Sequence, residues 1–177
     1  EKIIEYRIGG EFGYLASMRL HEFSDELSSE SSAPGGGSVA ALAGALGASL
    51  SSMVANLTFG KKKWLPVFDQ MSQIAQKSQK LKDELIQLID ADTDSFKLVM
   101  EAYIMPKKTE KQKIDRSAKI DFAIKEATNV PYKTLKCCND IMDVALKAVK
   151  YGNPNSISDA GVAGEMATAG AHSAALN

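Results

Sequence analysis

The chain has 177 residues, 45% of them hydrophobic and 24% charged, which suits one soluble globular domain with a sizeable core. Its 21 basic and 22 acidic residues nearly cancel, so bulk charge offers no footing for nucleic acid. The only cysteines, adjacent at Cys137 and Cys138, lack the spacing of a disulfide framework, a zinc site or a redox pair, which fits a reducing cytoplasm.

Residues Glu1 to Gly13 are a short apolar segment ending in a glycine-rich joint, and residues 1–16 are expected to be a lead-in or the end of another domain. No signal or transit peptide is visible, and the first residue is Glu1 rather than Met. Leu20, Phe23 and Leu27 among polar neighbours predict an amphipathic helix from Ser17 to Glu30. His21 on it reads as a surface or packing residue.

Ala33 to Thr58 carries no charge and consists mostly of small side chains. Pro34 and the glycines after it break the chain, Gly37 or Ser38 can cap a helix, and Leu42, Leu46, Leu50, Met53 and Leu57 recur at helical spacing. The other faces carry Ala40, Ala43, Gly44, Gly47, Ala48 and Ser51. Glycine inside a helix costs about 1 kcal/mol unless another backbone approaches closely, so the pattern predicts a central helix with neighbours on most sides. The run is long enough to span a bilayer, but Ser49, Ser51, Ser52, Asn56 and Thr58 and the shortage of bulky apolar residues argue against a membrane span. A phosphate loop is excluded because no Gly-x-x-x-x-Gly-Lys-Ser/Thr occurs and no strand precedes the glycines. Gly60 ends the helix, and Lys61, Lys62 and Lys63 follow beside Trp64 as either a solvated charge cluster or an anion clamp.

A long helix is predicted from Val67 to Tyr103. At 100° per residue, Leu81, Leu85, Leu88, Ile89, Phe96, Val99 and Tyr103 form one stripe with Asp92 at its centre, while Asp90 and Asp94 project to the opposite side. A carboxylate in an apolar stripe needs a partner or a raised pKa, which makes Asp92 the leading candidate for chemistry. After the break at Met105 to Lys108, Thr109 and Gln112 have capping-box spacing for a helix from Glu110 to Thr128. Pro131 is expected in the first turn of a separate helix to Tyr151, in which Cys137 and Cys138 pack. Gly152 to Asn155 ends it. Ser156 with Asp159 has capping-box spacing for the last helix, Asp159 to Asn177, a second small-residue helix suited to pack on the central one. His172 on it receives no role. No strand pattern occurs, so the expected fold is all-α, a bundle of five or six helices around a small-residue central helix.

Ala-Pro-Gly-Gly-Gly-Ser-Val-Ala-Ala from Ala33, Thr58 followed by Gly60 and the basic run, Asp-Ala-Asp from Asp90 to Asp92 with Phe96, Met-Pro-Lys-Lys around Pro106, and Gly-Asn…Ser-x-x-Asp from Gly152 to Asp159 resemble, in order, the cyclodeaminase/cyclohydrolase family. The resemblance implies a helical domain over residues 17–177 that ends before the family's final helices, with residues 1–16 similar to an interdomain linker. It implies a usually dimeric cytoplasmic enzyme of one-carbon folate metabolism, with no bound cofactor or metal, with no membrane or nucleic-acid partner, and with a formiminotransferase as a domain or separate partner. The implied reaction is conversion of 5-formimidoyltetrahydrofolate to 5,10-methenyltetrahydrofolate with release of ammonia, a lyase step of histidine catabolism. The alternatives are methenyltetrahydrofolate cyclohydrolase, a hydrolase, and a non-catalytic folate-binding or helical assembly module. For the ring closure, Asp92 is the first acid/base candidate and Asp159 the second. Asn56 would orient the pterin or formimidoyl group, Lys61, Lys62 and Lys63 would attract folate glutamates, and the amides of Gly36, Gly37 and Ser38 would bind an anionic group.

Overall fold

A computed structural model of the chain describes residues 12–59 and 62–177. Most of the expected lead-in, together with Gly60 and Lys61, lies outside the described residues. Among these residues there are five α-helices and no strand: α1 (Leu20–Leu27), α2 (Gly36–Thr58), α3 (Phe68–Ile104), α4 (Glu110–Tyr151) and α5 (Ile157–Ala175). Short 3-10 helices at Lys62–Val67 and Pro154–Ser156 lead into α3 and α5. The all-α bundle expected from periodicity is the fold.

The central helix α2 packs on α3, α5 and α4. It is long and apolar enough to cross a membrane, but 61% of its most apolar stretch is buried inside the fold, as in a core helix. Its buried face is the small-residue one, running through Ala40, Gly44, Gly47, Ala48, Ser51 and Ala55. Leu46, Met53 and Leu57 point outward, 47%, 36% and 45% exposed. The reason is close backbone approach. A Cβ on Gly47 would stand 2.8 Å from the Ala163 carbonyl oxygen, and one on Gly170 would stand 2.9 Å from that of Ala40. Gly36 faces Asn177, Gly44 is beside Gly170, and Gly47 is beside Ala163 and Ala167, so α2 and α5 run antiparallel. Cys138 closes the same seam, its sulfur lying where a Cβ on Gly44 or Gly170 would approach to 2.8 Å.

Four boundaries differ from expectation for local reasons. Helix α2 begins at Gly36 with Gly35 as N-cap, two or three residues earlier than Gly37 or Ser38 as caps would give. Helix α1 is shorter than Ser17–Glu30. Its start is set where Glu22 accepts the Arg19 N–H at 2.8 Å, and Ser28 and Ser29 turn back to bond the Asp25 and Glu26 carbonyls. Helices Glu110–Thr128 and Pro131–Tyr151 are one 42-residue helix, α4, with Pro131 buried inside it. Packing on α3 and α5 carries the helix through a residue that costs about 3 kcal/mol in a helix interior. The Ser156–Asp159 capping box does not form: Ser156 stands at the N-cap of α5 but makes no side-chain cap bond. The Thr109–Gln112 box does form, with Thr109 Oγ1 accepting the Gln112 N–H at 3.2 Å and Gln112 accepting the Thr109 N–H at 3.1 Å.

The long helices α3 and α4 outrun α2 and α5. The stripe Leu81, Leu85, Leu88 and Ile89 is buried, but past Asp92 the same side of α3 surfaces, with Phe96 and Tyr103 41% and 50% exposed. The change comes at the level of Asp92 because α2 starts and α5 ends there.

Candidate active site

Asp92 is held where three chain segments meet. The start of α2 lies across it, α3 carries it, and Asn177, after the end of α5, faces Gly36. Ser38, fully buried, has its Oγ 3.1 Å from Asp92 Oδ2 and 2.9 Å from the Ile89 carbonyl oxygen. The carboxylate fills the space a side chain at Gly37 would need. Burial raises the Asp92 pKa above the usual carboxylate value, and hydrogen bonds from the Ser38 hydroxyl and backbone N–H oppose the rise. Asp92 thus has the expected partner and the expected shift.

This geometry bears on the anion-binding role expected of the α2 amides. Gly37 lies directly against the carboxylate of Asp92, so an anion of the protein's own stands at this helix N-terminus. Gly36 is exposed and faces the Asn177 carboxamide, whose nitrogen would lie 3.3 Å from a Cβ at Gly36.

Asp90 does not simply project to solvent. Its Oδ1 accepts the Leu15 N–H at 2.8 Å and its Oδ2 the Ala16 N–H at 3.0 Å, with the carboxylate resting where Gly13 has no side chain. It fastens the turn before α1 onto the outer side of α3. A cleft of about 340 Å³ opens there beside Glu26, Ser31 and Thr93. Successive helical residues turn about 100°, so this cleft lies across α3 from Asp92. Asp94 is exposed and pairs with Lys97 at 3.3 Å, as its outward direction implied.

The remaining candidates lie at the other end of α2. Asn56 is exposed, about 27 Å along the helix from Ser38 at 1.5 Å per residue. Lys62 and Lys63 are exposed in the 3-10 segment beyond it, with Lys63 Nζ 5.0 Å from the Trp64 ring centroid, and Lys61 lies outside the described residues. Asp159 is half-buried in the first turn of α5. Ala163, one turn further, meets Gly47, so Asp159 is displaced from Gly37 by at least ten residues of α2, about 15 Å. Thr58 ties this end together by accepting the Asn153 N–H at 2.8 Å. Within one chain, therefore, Asp92 and Ser38 form one cluster, and Asn56, Lys62, Lys63 and Asp159 belong to the opposite end.

Two features of the Asp92 cluster escape sequence reasoning. Asn177 reaches Gly36 only through the antiparallel α2–α5 packing, and nothing local signals it. Phe96 follows Asp92 by one turn, and its exposure beside the carboxylate comes from α2 and α5 stopping short. Among the described residues no group of three or more His, Cys, Asp or Glu stands close enough to hold a metal ion. Cys137 and Cys138 are buried, and burial pushes their pKa values up to about 12 and about 11, so both are inert thiols.

A family model described as formiminotransferase-cyclodeaminase matches residues 19–177. A methenyltetrahydrofolate cyclohydrolase of Methylorubrum extorquens is 46% identical over 158 residues, covering 89% of this chain and 76% of that protein. The formimidoyltransferase-cyclodeaminase of Mus musculus is 31% identical over 179 residues, and this chain spans 33% of its length. A crystal structure of formiminotetrahydrofolate cyclodeaminase from Thermotoga maritima superposes with a TM-score of 0.80 at 29% identity, covering 90% of this chain and 76% of that one.

Proposed function

Because the chain belongs to the formiminotransferase-cyclodeaminase family, we propose that it acts on one-carbon tetrahydrofolates as a methenyltetrahydrofolate cyclohydrolase, with Asp92 as its acid/base. The observation that favours hydrolysis is the 46% identity to a protein of that name over most of both chains, against 31% for the mouse bifunctional enzyme. In this reaction water adds to the methenyl carbon of 5,10-methenyltetrahydrofolate and loses a proton, and the bond from that carbon to N5 then breaks. The products are 10-formyltetrahydrofolate and a proton. A single carboxyl group can take the first proton from water and return it to N5 as that bond breaks, while the hydroxyl left on the carbon becomes the formyl C=O and releases its proton as the product proton. Asp92 suits both steps because burial brings its pKa toward the working pH.

The second reading is the cyclodeaminase reaction, favoured by the structural likeness at TM-score 0.80. There N10 attacks the formimidoyl carbon, Asp92 takes the N10 proton, and a proton is handed to the departing ammonia. The chemistry demanded of Asp92 is the same. Purified protein assayed with 5,10-methenyl- and 5-formimidoyltetrahydrofolate decides between the two, and Asp92→Asn retaining full turnover of both would remove Asp92 from the mechanism.

The proposal includes a cytoplasmic homodimer without a bound cofactor, and a formiminotransferase as a domain or partner. The outward face of α2, with Leu46, Met53 and Leu57 exposed, supports a second copy there. Two α2 helices packed antiparallel on this face bring the Asp92 end of one copy toward Asn56, Asp159 and the lysines of the other. That arrangement gives the remaining candidates a place at one site: Asp159 as a second acid, and Lys61, Lys62 and Lys63 for the glutamate carboxylates.

A further inference from the structure

Ser38 has one hydroxyl proton and two acceptors within reach, the Ile89 carbonyl at 2.9 Å and Asp92 Oδ2 at 3.1 Å. It can donate to only one at a time. With Asp92 ionised, the charge-assisted bond is the stronger, so the proton turns to Oδ2. The Ile89 carbonyl loses little, because it keeps its helical partner, the N–H four residues further along. With Asp92 protonated, the carboxyl itself donates to Ser38 Oγ, and the Ser38 proton turns to Ile89. Both states are fully satisfied without movement of a heavy atom.

We propose that Ser38 is a positioning residue for Asp92: by turning its hydroxyl between the Ile89 carbonyl and Asp92 Oδ2, it holds the carboxyl in one place through both protonation states and sets the pH at which it exchanges its proton. This replaces the substrate-binding role the sequence suggests for Ser38, and its catalytic consequence rests on Asp92 being the acid/base. Two further observations carry it. The missing side chain at Gly37 lets the carboxyl sit tightly on α2, so it cannot turn away from Ser38 when its charge changes. Its surroundings also leave the task to Ser38. The α2 residues against it are Gly37 and Ser38, and Asn177 is the polar group near Gly36 from beyond α5, none of them titratable. On its own helix, Asp90 is engaged by Leu15 and Ala16, and Asp94 is paired with Lys97. His172, in the last turn of α5, is exposed and has no hydrogen-bond or ion-pair partner among the described residues. Burial raises the Asp92 pKa and Ser38 opposes the rise.

The test reads the Asp92 carboxyl directly, by carbon NMR titration of wild type, Ser38→Ala and Ser38→Cys, beside the pH profile of kcat. Ser38→Ala removes the donor to the ionised form, so the Asp92 midpoint is expected to move up, with the matching limb of the kcat profile moving the same way. Ser38→Cys, a weaker donor of similar shape, should fall between. A thermal melt establishes that each variant is folded, and if Ser38→Ala is not, Ser38→Cys alone carries the comparison. A midpoint that stays put or moves down in a folded variant overturns the proposal. If Asp92→Asn keeps full turnover, the catalytic reading fails, yet the NMR midpoints still decide what Ser38 does.

Discussion

Gly37 lies against the carboxylate of Asp92 with no space between them: a Cβ at Gly37 would overlap the Asp92 carboxyl group. The contact joins residues from different helices and makes the first turn of α2 one wall of the candidate site. It also explains how a carboxylate tolerates its place in an apolar stripe. The start of α2 supplies it with the Ser38 N–H and hydroxyl, and the helix dipole favours its charge.

Gly37→Ala is therefore expected to push α2 and α3 apart at this point. Overpacking of this kind costs about 1–3 kcal/mol, read as a lower urea midpoint at unchanged slope. Turnover should fall by more than the stability loss explains, because Asp92 must move to make room.

Asp92→Asn keeps the shape and removes the exchangeable proton. Turnover should drop about 10²- to 10⁴-fold for whichever folate the wild type converts, with a native circular dichroism spectrum. A second reading comes from stability against pH. The folded Asp92 binds its proton more tightly than the unfolded one, so its contribution is fully present below the ordinary carboxylate pKa and is lost as pH rises through the raised value. The stability of Asp92→Asn relative to wild type should accordingly rise across that window, and equal pH dependence of the two proteins would contradict the raised pKa.

Asp90→Ala removes the acceptor of two backbone N–H groups, and the expected cost is about 1–3 kcal/mol. Amide exchange should accelerate at Leu15 and Ala16, while turnover suffers far less than in Asp92→Asn. Equal loss of turnover in the two variants would mean that the cleft beside Asp90 belongs to the active site.

Leu46→Asp places a charge in the middle of the outward face of α2. If two copies meet there, light scattering should show a monomer for this variant and a dimer for the wild type, with turnover lost alongside. A Leu46→Asp protein that stays dimeric and active moves the interface elsewhere.

Cys137 and Cys138 should resist a water-soluble thiol reagent at neutral pH in the folded protein and react promptly in urea. Their raised pKa values, about 12 and about 11, leave little thiolate to attack, and burial blocks access. Rapid labelling of Cys138 in the native chain would show that the α2–α4–α5 seam opens.

Much of this was legible in the residues. Helical sequence patterns mark the regions of all five α-helices, the Thr109–Gln112 box places the start of α4, and Asp92 stands out because no apolar stripe takes a carboxylate without compensation. What misled were cues whose outcome depends on packing. Pro131 marks a break only if its surroundings allow one, and α4 is held on both sides. The glycines of α2 point to a close backbone neighbour, but only the fold shows that this neighbour is α5 and that Leu46, Met53 and Leu57 are left exposed. Asp90 looks outward by angle alone, yet the Gly13–Ala16 turn comes to meet it.

The sequence by itself determined the helices, the small-residue spine and the identity of the one carboxylate that burial would trouble, since these follow from a local repeat of 100° per residue. Only the tertiary structure decided the partners. Ser38 meets Asp92 across 54 positions, and Leu15 meets Asp90 across 75. Asp92 and Asp159, joined in one mechanism by their residue type, stand at different levels of α2. Local periodicity gives the face a residue occupies, whereas the antiparallel run of α5 on α2 sets the level at which it stands.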